Sequence, residues 1–335
     1  MSNINKLFTN TLVNENGQLN EWSIGWSAKD DLISNISGRF LRKKMWNYWC
    51  VTSSELLFSA TISHIDYAAV LFVYIFDRHT HDFHEETLLI PFGKGVHMPQ
   101  RVRETITYSS RNMTLAFIES TEKTRIEVTC PSFGAKGSLK ATIVIERDLD
   151  MESLNVVIPW SSRHFQFTSK QPALQATGDI LWAEQRYTLA QGDGFACLDF
   201  GRGVWKYRSK WNWGSASGMV NKKQVGINLG GQWTDGTGQN ENGVIVDGRL
   251  YKIDDDVEWF YDRTDYLKKW EIKAAHVDLT FEPIFERKAE TNAFIIQSSV
   301  HQLFGYYSGE ILLGTGEIIR LERLFGWAED HVAKW

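Results

Sequence analysis

The sequence predicts an all-β protein with few and short helices. Apolar and polar side chains alternate in several short runs, such as residues 125–130 and 276–281, and a two-residue period is typical of a half-buried strand. No segment shows a sustained 3.6-residue apolar period, so long helices are not expected. Many strands without covering helices favour barrels or sandwiches, because a closed sheet has no unpaired edge. A chain of 335 residues then predicts two β-barrels or one very large sheet system.

Predicted strands follow one another along the chain and are separated by short turns. Asp247-Gly248 and Gly314-Thr315-Gly316 each join two apolar runs, which is typical of hairpin turns. Short helices are expected at most at residues 18–31 and 181–189. The other predicted strands are residues 56–63, 69–76, 87–90, 114–118, 139–145, 154–158, 194–200, 225–229, 243–246, 250–253, 293–297 and 309–313.

The chain is expected to divide into two barrel domains. Serine, threonine, proline and glycine collect at positions 161–179, and such clusters are typical of connecting segments. We therefore predict an N-terminal β-barrel domain over residues 1–165 and a C-terminal β-barrel domain over residues 175–335.

The composition indicates a folded and mildly acidic protein. Hydrophobic residues make up 43% of the chain, enough to offset the entropy of ordering it. Nucleic acid is not an expected partner at a net charge of −5, because phosphate binding needs clustered Lys and Arg. The longest apolar run, residues 68–76, is far shorter than the ~20 residues of a membrane helix, and the first residues lack a secretion signal. We expect a cytoplasmic protein without a membrane span, and its oligomeric state stays open.

Tryptophan occurs 14 times, and two motifs concentrate it. In the first, residues 42–50, three cations precede Trp46-Asn47-Tyr48-Trp49. On a strand, Trp46 and Tyr48 share one face, and Asn47 and Trp49 share the other. Aromatic rings beside an amide are typical of a small-molecule pocket. The end of a core strand is an equally good interpretation.

The second motif spans residues 210–218 and 226–243, where tryptophans stand among amides, hydroxyls and glycines. Glycine lets the backbone approach a ligand closely. Amide, hydroxyl and carboxylate groups beside indole rings favour recognition of a sugar or a polar terpenoid. A set of glycine-rich turns is the alternative. The candidate ligand-binding residues of both motifs are Trp46, Asn47, Tyr48, Trp49, Trp211, Asn212, Trp213, Ser217, Asn228, Gln232, Trp233, Thr234 and Asn242.

Three carboxylates are candidate catalytic residues, namely Asp235, Glu241 and Glu258. A carboxyl group buried beside tryptophan has a raised pKa and can act as a general acid. Trp259 next to Glu258 suggests such surroundings. Ordinary surface acidity is the alternative for each of the three.

The sequence does not predict a cofactor or a metal site. His79, His81 and His84 could bind a metal, but they fall in a polar stretch between strands, and the question stays open. Residues 214–218 place Ala216 where a nucleophile elbow needs serine. No phosphate-binding loop or complete dinucleotide motif occurs.

Taken in order, the motifs resemble the family called domain of unknown function 2804, over essentially the whole chain. One departure is Ala28-Lys29-Asp30-Asp31, where the family has Arg and Pro after Gly-Trp-Ser. The motifs are Gly17-x-Leu19-Asn20, Gly25-Trp26-Ser27, Arg42-Lys43-Lys44-x-Trp46-Asn47-Tyr48-Trp49, Asp66-Tyr67, Trp211-Asn212-Trp213-Gly214, Asn228-Leu229-Gly230-Gly231, Trp233-Thr234-Asp235-Gly236-Thr237-Gly238, Glu241-Asn242, Asp247-Gly248-Arg249, Gly326-Trp327-Ala328-Glu329-Asp330-His331 and Trp335.

The resemblance implies two lipocalin-like antiparallel β-barrels side by side, similar to the carotenoid hydratase group. It also implies an apolar or terpenoid ligand in an aromatic cavity at or between the barrels. It does not supply a reaction.

Three functions are compatible with the sequence, and all have a small molecule as the partner. The first is an enzyme that hydrates, isomerises or cyclises a hydrophobic or isoprenoid-like molecule, with a carboxylic acid as proton donor and indole rings stabilising a cation. The second is a glycosidase-like enzyme with two carboxylates and tryptophan platforms. The third is a non-catalytic carrier of a lipid-like ligand.

Overall fold

The computed structural model describes residues 10–293 and 296–334, without the side chains of residues 291–293 and 296. The described residues form twenty-two strands and one 3-10 helix, Glu21–Ser23. Every pairing between these strands is antiparallel. The prediction of an all-β, double lipocalin-like architecture is confirmed, because two curled antiparallel sheets account for the chain.

The first sheet has thirteen strands, and its main path runs β5-β4-β3-β2-β13-β11-β9-β8-β7-β6. Strands β1 and β12 are attached at its side through β10 and β11. Its strands are β1 (Gly25–Ser27), β2 (Lys43–Thr52), β3 (Leu56–His64), β4 (Ala68–Asp77), β5 (Phe83–Pro91), β6 (Ile106–Ser109), β7 (Thr114–Glu119), β8 (Lys123–Cys130), β9 (Leu139–Glu146), β10 (Leu154–Pro159), β11 (Phe165–Trp182), β12 (Gln185–Leu189) and β13 (Phe195–Val204).

The second sheet has nine strands in the order β17-β16-β15-β14-β22-β21-β20-β19-β18. Its three longest strands, β20 to β22, form a meander that starts after β19. Its strands are β14 (Arg208–Val220), β15 (Lys223–Gly231), β16 (Gly243–Val246), β17 (Arg249–Lys252), β18 (Glu258–Phe260), β19 (Trp270–Ala274), β20 (Val277–Ala293), β21 (Ile296–Leu312) and β22 (Ile318–Lys334).

Strand β11 curls the first sheet by changing its partner part-way. Its first half pairs with β13, and its second half, from Ala176, pairs with β9. The register shifts between Gln171 and Leu174, where Ala173 has a φ of 61°. A bulge of this kind bends a strand and increases its twist.

Both predicted hairpin turns are confirmed, whereas the helix expected at residues 181–189 is wrong. Residues 181–189 hold the end of β11, a turn and β12. The turn passes through Ala183 with a φ of 54°, so no glycine or proline marks it in the sequence. Within residues 18–31, the helix is limited to Glu21–Ser23.

Strand β11 covers residues 165–179 of the predicted connecting segment. The change from the first sheet to the second falls between Val204 and Arg208. The division into domains at residues 165–175 stays a prediction. Two residues of the predicted strand 293–297, as well as Trp335, lie outside the described part of the chain.

Each sheet curls around its own apolar core, and a third core lies between the sheets. The alternation of β2 decides which side chain enters which core. Trp49 and Val51 point into the first barrel, and Tyr48 and Cys50 point towards the second sheet. The described residues contain no helix that is long and apolar enough to cross a bilayer.

Candidate functional site

The outer face of the first sheet packs on the second sheet through aromatic side chains. Tyr48 of β2 meets Trp213 of β14 edge-on, with ring centroids 5.5 Å apart. Tyr48 meets Trp327 of β22 in the same way at 6.3 Å. Such edge-to-face pairs are favourable because the positive edge of one ring meets the negative face of the other. The two sheets therefore share a specific aromatic interface.

One end of this interface carries an indole cluster, which we define as Trp46, Trp160, Trp205, Trp211 and Trp233. Trp205 lies at its centre, with ring centroids 4.8 to 6.0 Å from those of the other four. The Trp160 indole N–H donates to the backbone carbonyl of Trp233 at 2.8 Å. This bond fastens the loop after β15 to the first sheet.

A buried charge triad lies beside the indole cluster and consists of Lys170, Asp199 and Glu241. The Lys170 ammonium of β11 is 2.9 Å from Asp199 Oδ2 and 3.2 Å from Glu241 Oε2. Asp199 belongs to β13, whereas Glu241 precedes β16 in the second sheet. All three side chains are buried. One ammonium group therefore links the two sheets through two carboxylates.

Indole and amide groups hold Glu241 in place. Its Oε1 accepts a hydrogen bond from the Trp233 indole N–H at 2.8 Å. Its backbone carbonyl accepts one from Asn228 at 2.6 Å, and Asn228 Oδ1 accepts one from the Trp213 indole N–H at 2.9 Å. The Lys170 ammonium lies 4.2 Å from the centre of a Trp213 ring. The carboxyl group thus faces indole rings and one cation.

Burial and the neighbouring Lys170 charge shift the pKa of Glu241 in opposite directions. Burial raises the pKa of the Glu241 carboxyl, and the Lys170 charge opposes this effect only in part. Burial acts to lower the pKa of Lys170, but Asp199 and Glu241 outweigh it, and the pKa is raised. The Glu241 carboxyl therefore takes up a proton more readily than a carboxyl group in water does.

The structure brings five of the predicted binding residues to the triad and the indole cluster beside it. Three of them, Trp213, Asn228 and Trp233, form the hydrogen bonds described above. Trp46 and Trp211 belong to the indole cluster, and Trp211 also donates to Glu329 at 3.0 Å. These five and Glu241 come from both tryptophan motifs.

Other predicted binding residues lie near this region and form local hydrogen bonds or are buried there. Gly230 N donates to Asn242 Oδ1 at 2.7 Å, and Asn212 donates to the Tyr261 hydroxyl at 3.1 Å. Gln232 donates to Asn212, and Thr234 is buried in the loop after β15.

Three predicted binding residues lie farther from the triad. Trp49 belongs to the core of the first barrel, and Asn47 accepts a hydrogen bond from Arg202 at 2.6 Å. Ser217 accepts a hydrogen bond from the backbone of Ala173 at 2.9 Å.

The other two predicted catalytic carboxylates are exposed and are not part of the triad. Asp235 accepts a hydrogen bond from the backbone N–H of Gln232 at 2.9 Å, which is a turn contact. Glu258 points outward from β18, while its neighbour Trp259 packs against the second core.

Sequence reasoning missed Lys170 and Asp199, which complete the triad. Lys170 lies in a run of buried residues of β11, and the residues around it do not alternate between buried and exposed positions. Its pairing with Asp199 depends on the register of β11 on β13. The sequence feature that could have indicated a buried charge is a lysine within a long run of uncharged residues.

Histidine side chains do not form a metal site in the described part of the chain. No group of three potential metal ligands occurs there. His84 contacts Glu86 at 2.9 Å, and His81 packs against Phe76 with ring centroids 5.6 Å apart. Each contact is a local one at the β4–β5 hairpin.

A separate cleft of about 460 Å³ opens at the opposite end of the interface, where β2 ends and β14 ends. Arg78, Asp193, Ser217 and Phe325 are among its lining residues. Arg78 lies over the Phe325 ring at 3.9 Å. Of the predicted site residues, Ser217 lines this cleft.

The sequence profile of the domain of unknown function (DUF2804) matches residues 4–335. The chain belongs to the DUF2804 family. The resemblance of its motifs to that family is thus confirmed. A comparison with curated proteins finds no match for this DUF2804 protein.

Solved structures share the fold of this DUF2804 protein. Kievitone hydratase from Nectria haematococca is similar, with a TM-score of 0.53 and 9% identity over 88% of this chain and 89% of that chain. A protein from Nitrosomonas europaea assigned as an AttH is similar, with a TM-score of 0.51 and 10% identity over 87% of this chain and 92% of that chain. At these identities the comparison shows the fold alone.

Proposed function

We propose that this DUF2804 protein is an enzyme that protonates a small hydrophobic or isoprenoid-like molecule and so hydrates, isomerises or cyclises it. The observation that carries the proposal is Glu241, a buried carboxyl with a raised pKa, held between the Trp233 indole N–H and the Lys170 ammonium. One protein of the same fold bears the name of a hydratase, which agrees with this reaction class.

The reaction begins with proton transfer from the Glu241 carboxyl to one carbon of a C=C bond. The π electrons form the new C–H bond, and the other carbon becomes a cation. The ring of Trp233 stabilises that cation through its negative face. The Lys170 ammonium stabilises the carboxylate that Glu241 becomes.

The cation is then consumed in one of three ways, and each returns the proton count to its start. Loss of a proton from a neighbouring carbon to the Glu241 carboxylate gives an isomer. Addition of water, followed by transfer of one of its protons to the carboxylate, gives an alcohol. Attack by a second C=C bond and loss of a proton gives a ring. Activity should fall as the pH rises through the raised pKa of Glu241, because the ionised form has no proton to donate.

Deuterium incorporation tests the proposal without prior choice among the three outcomes. The protein is incubated in D2O with geraniol, farnesol or squalene, and the recovered material is analysed by mass spectrometry. We expect deuterium on carbon with the natural chain and with Asp235→Asn or Glu258→Gln, since those carboxylates are exposed. Glu241→Gln should remove the incorporation. Retention of incorporation in Glu241→Gln would assign the proton to another group.

The other two functions make different predictions for the same variants. A glycosidase requires a water or a sugar between its two carboxylates, whereas the Lys170 ammonium occupies that position between Asp199 and Glu241. A carrier would bind an isoprenoid equally well in the natural chain and in Glu241→Gln, and neither would incorporate deuterium.

A further inference from the structure

Three neighbouring strands of the first sheet bring cations to one edge of the molecule. Val204, the last residue of β13, pairs with Lys43 at the start of β2 and with Phe165 at the start of β11. Neighbouring strands are about 4.8 Å apart. Three cations lie just beyond this row and therefore at the same edge of the sheet, namely Arg42, Arg163 and Lys206.

A fourth cation, Arg39, belongs to the same edge, and we call Arg39, Arg42, Arg163 and Lys206 the basic edge. Burial lowers the pKa of His164, and the charges of all four residues lower it further. The backbone carbonyl of Arg39 accepts a hydrogen bond from the backbone N–H of Arg42 at 3.0 Å, and Arg163 directly precedes His164 in the chain. The backbone therefore places these cations at the same edge.

The basic edge is not neutralised by neighbouring acids. Among the described residues, no carboxylate lies within 4.0 Å of the charged groups of the four cations. Asp66 is nearby but pairs with Lys43 at 3.1 Å, and its Oδ2 accepts from the backbone of Arg42 at 3.0 Å. In a chain with a net charge of −5, this edge is a local excess of positive charge.

Large apolar side chains project from the same edge. Phe40 is 73% exposed and Leu41 is 42% exposed, both between two of the cations. Phe92 is 72% exposed, and its backbone N–H donates to Tyr67 in the turn that contains Asp66. Exposed apolar side chains at one edge, rimmed by charged residues, are typical of an interaction surface.

The turn that presents Phe40 is held in a strained conformation. Arg39 and Leu41 have φ values of 52° and 66°, a region that residues other than glycine adopt at a cost in free energy. Arg39 donates to the carbonyl of Gly17 at 3.0 Å, and Lys43 donates to the carbonyl of Gly38 at 2.6 Å. These bonds fix the turn with Phe40 outward.

We propose that the basic edge, with Phe40, Leu41 and Phe92, docks the protein on the surface of a bilayer that contains anionic lipids. The cations match the lipid phosphates in charge, and the apolar side chains enter the boundary between headgroups and acyl chains. The exposed aromatic residues favour a bilayer over a soluble polyanion, which offers nothing apolar to cover them. Docking does not depend on the proposed reaction.

Docking also brings the indole cluster near the membrane. The Lys206 ammonium is 5.9 Å from a Trp160 ring, so the cluster begins directly behind the basic edge. Trp46 and Trp160 are partly exposed there. An apolar molecule that dissolves in the bilayer would reach this end of the interface without crossing water.

Vesicle co-sedimentation of the full chain tests the proposal. We expect binding to vesicles of phosphatidylcholine and phosphatidylglycerol, little binding to phosphatidylcholine alone, and loss of binding at high salt. Arg163→Gln combined with Lys206→Gln should weaken binding by about tenfold or more, and Phe40→Ser should weaken it as well. Matched controls are Phe260→Ser, 51% exposed elsewhere, and Arg125→Gln, which removes an exposed cation paired with Glu127.

Several outcomes would overturn docking on a bilayer. They are equal binding to both vesicle types, binding to neither, and variants of the basic edge that bind as the natural chain does. Inorganic polyphosphate that binds with equal affinity to the natural chain and to Phe40→Ser would indicate a soluble polyanion instead. Circular dichroism and the melting temperature verify folding of each variant. Because sedimentation does not measure turnover, failure here and failure of the proposed reaction are distinguishable.

Discussion

Lys170 of the first sheet and Glu241 of the second form a buried ion pair, with 3.2 Å between Nζ and Oε2. The same ammonium holds Asp199 at 2.9 Å. A buried ion pair is weak evidence for stability, because desolvation offsets the attraction. The triad has two carboxylates for one ammonium group, and burial of the second negative charge adds to that cost. Stability alone therefore does not explain why these charges are buried, whereas the proposed role of Glu241 as an acid does.

Replacement of Lys170 by methionine should destabilise the protein strongly. The change leaves Asp199 and Glu241 buried without a cation, and removal of one partner of a buried pair costs roughly 3–5 kcal/mol. The free energy of unfolding, measured by urea denaturation with tryptophan fluorescence, gives the cost.

A double variant separates the lost charge from the lost packing. Lys170→Met combined with Glu241→Gln leaves Asp199 as the one carboxylate of the triad, so we expect about half of the lost stability to return. If the two substitutions are additive, the two charges do not interact and the pair seen at 3.2 Å has no energetic role.

Replacement of Glu85 by glutamine should loosen the contact between the sheets on their other side. Arg287 of β20 donates to both carboxylate oxygens of Glu85 on β5, each at 2.8 Å, and burial leaves 8% of the Arg287 side chain exposed. We expect a loss of roughly 2–4 kcal/mol in unfolding free energy, moderated because Glu85 is partly in water.

The control for Glu85 is Glu310→Gln, which removes an exposed partner of Arg320 at 2.8 Å. Its effect should stay below ~1 kcal/mol. Equal effects of the two substitutions would mean that burial does not strengthen the Glu85–Arg287 pair.

Many of the strands were predictable because they have a local pattern, whereas β11 and β12 were not. Residues 139–145, predicted as a strand, lie in β9, and their side chains alternate between buried and more exposed positions. Asp247 and Gly248 both have positive φ, which is the conformation that the Asp-Gly sequence favours in a hairpin. By contrast, the turn at Ala183 has no glycine, and the sequence therefore predicted a helix there.

The candidate site was predictable in part, for a different reason. Trp213, Trp233 and Glu241 belong to one motif of the second sheet, and their local density indicated a site. Lys170 and Asp199 come from the first sheet, and their contact with Glu241 arises from the packing of one sheet on the other. Packing of this kind has no sequence period, so a charge on a strand indicates a solvent-facing position by default.

Replacement of Gly230 by alanine should disturb the candidate acid more than the fold. Gly230 lies on β15, and an added Cβ would contact Oε1 of Glu241 and lie 2.5 Å from its Cγ. The carboxyl group must then move away from the Trp233 indole N–H and from Lys170, which hold it on both sides. We expect loss of deuterium incorporation in the isoprenoid assay and a destabilisation of about 1–3 kcal/mol, the usual cost of overpacking.

Gly314→Ala is the matched control, because its added Cβ would meet nothing within 4 Å and its effect should stay within about 0.5 kcal/mol. If Gly230→Ala retained full incorporation, the position of the Glu241 carboxyl would not matter for proton transfer, and the acid would have to be sought outside the triad.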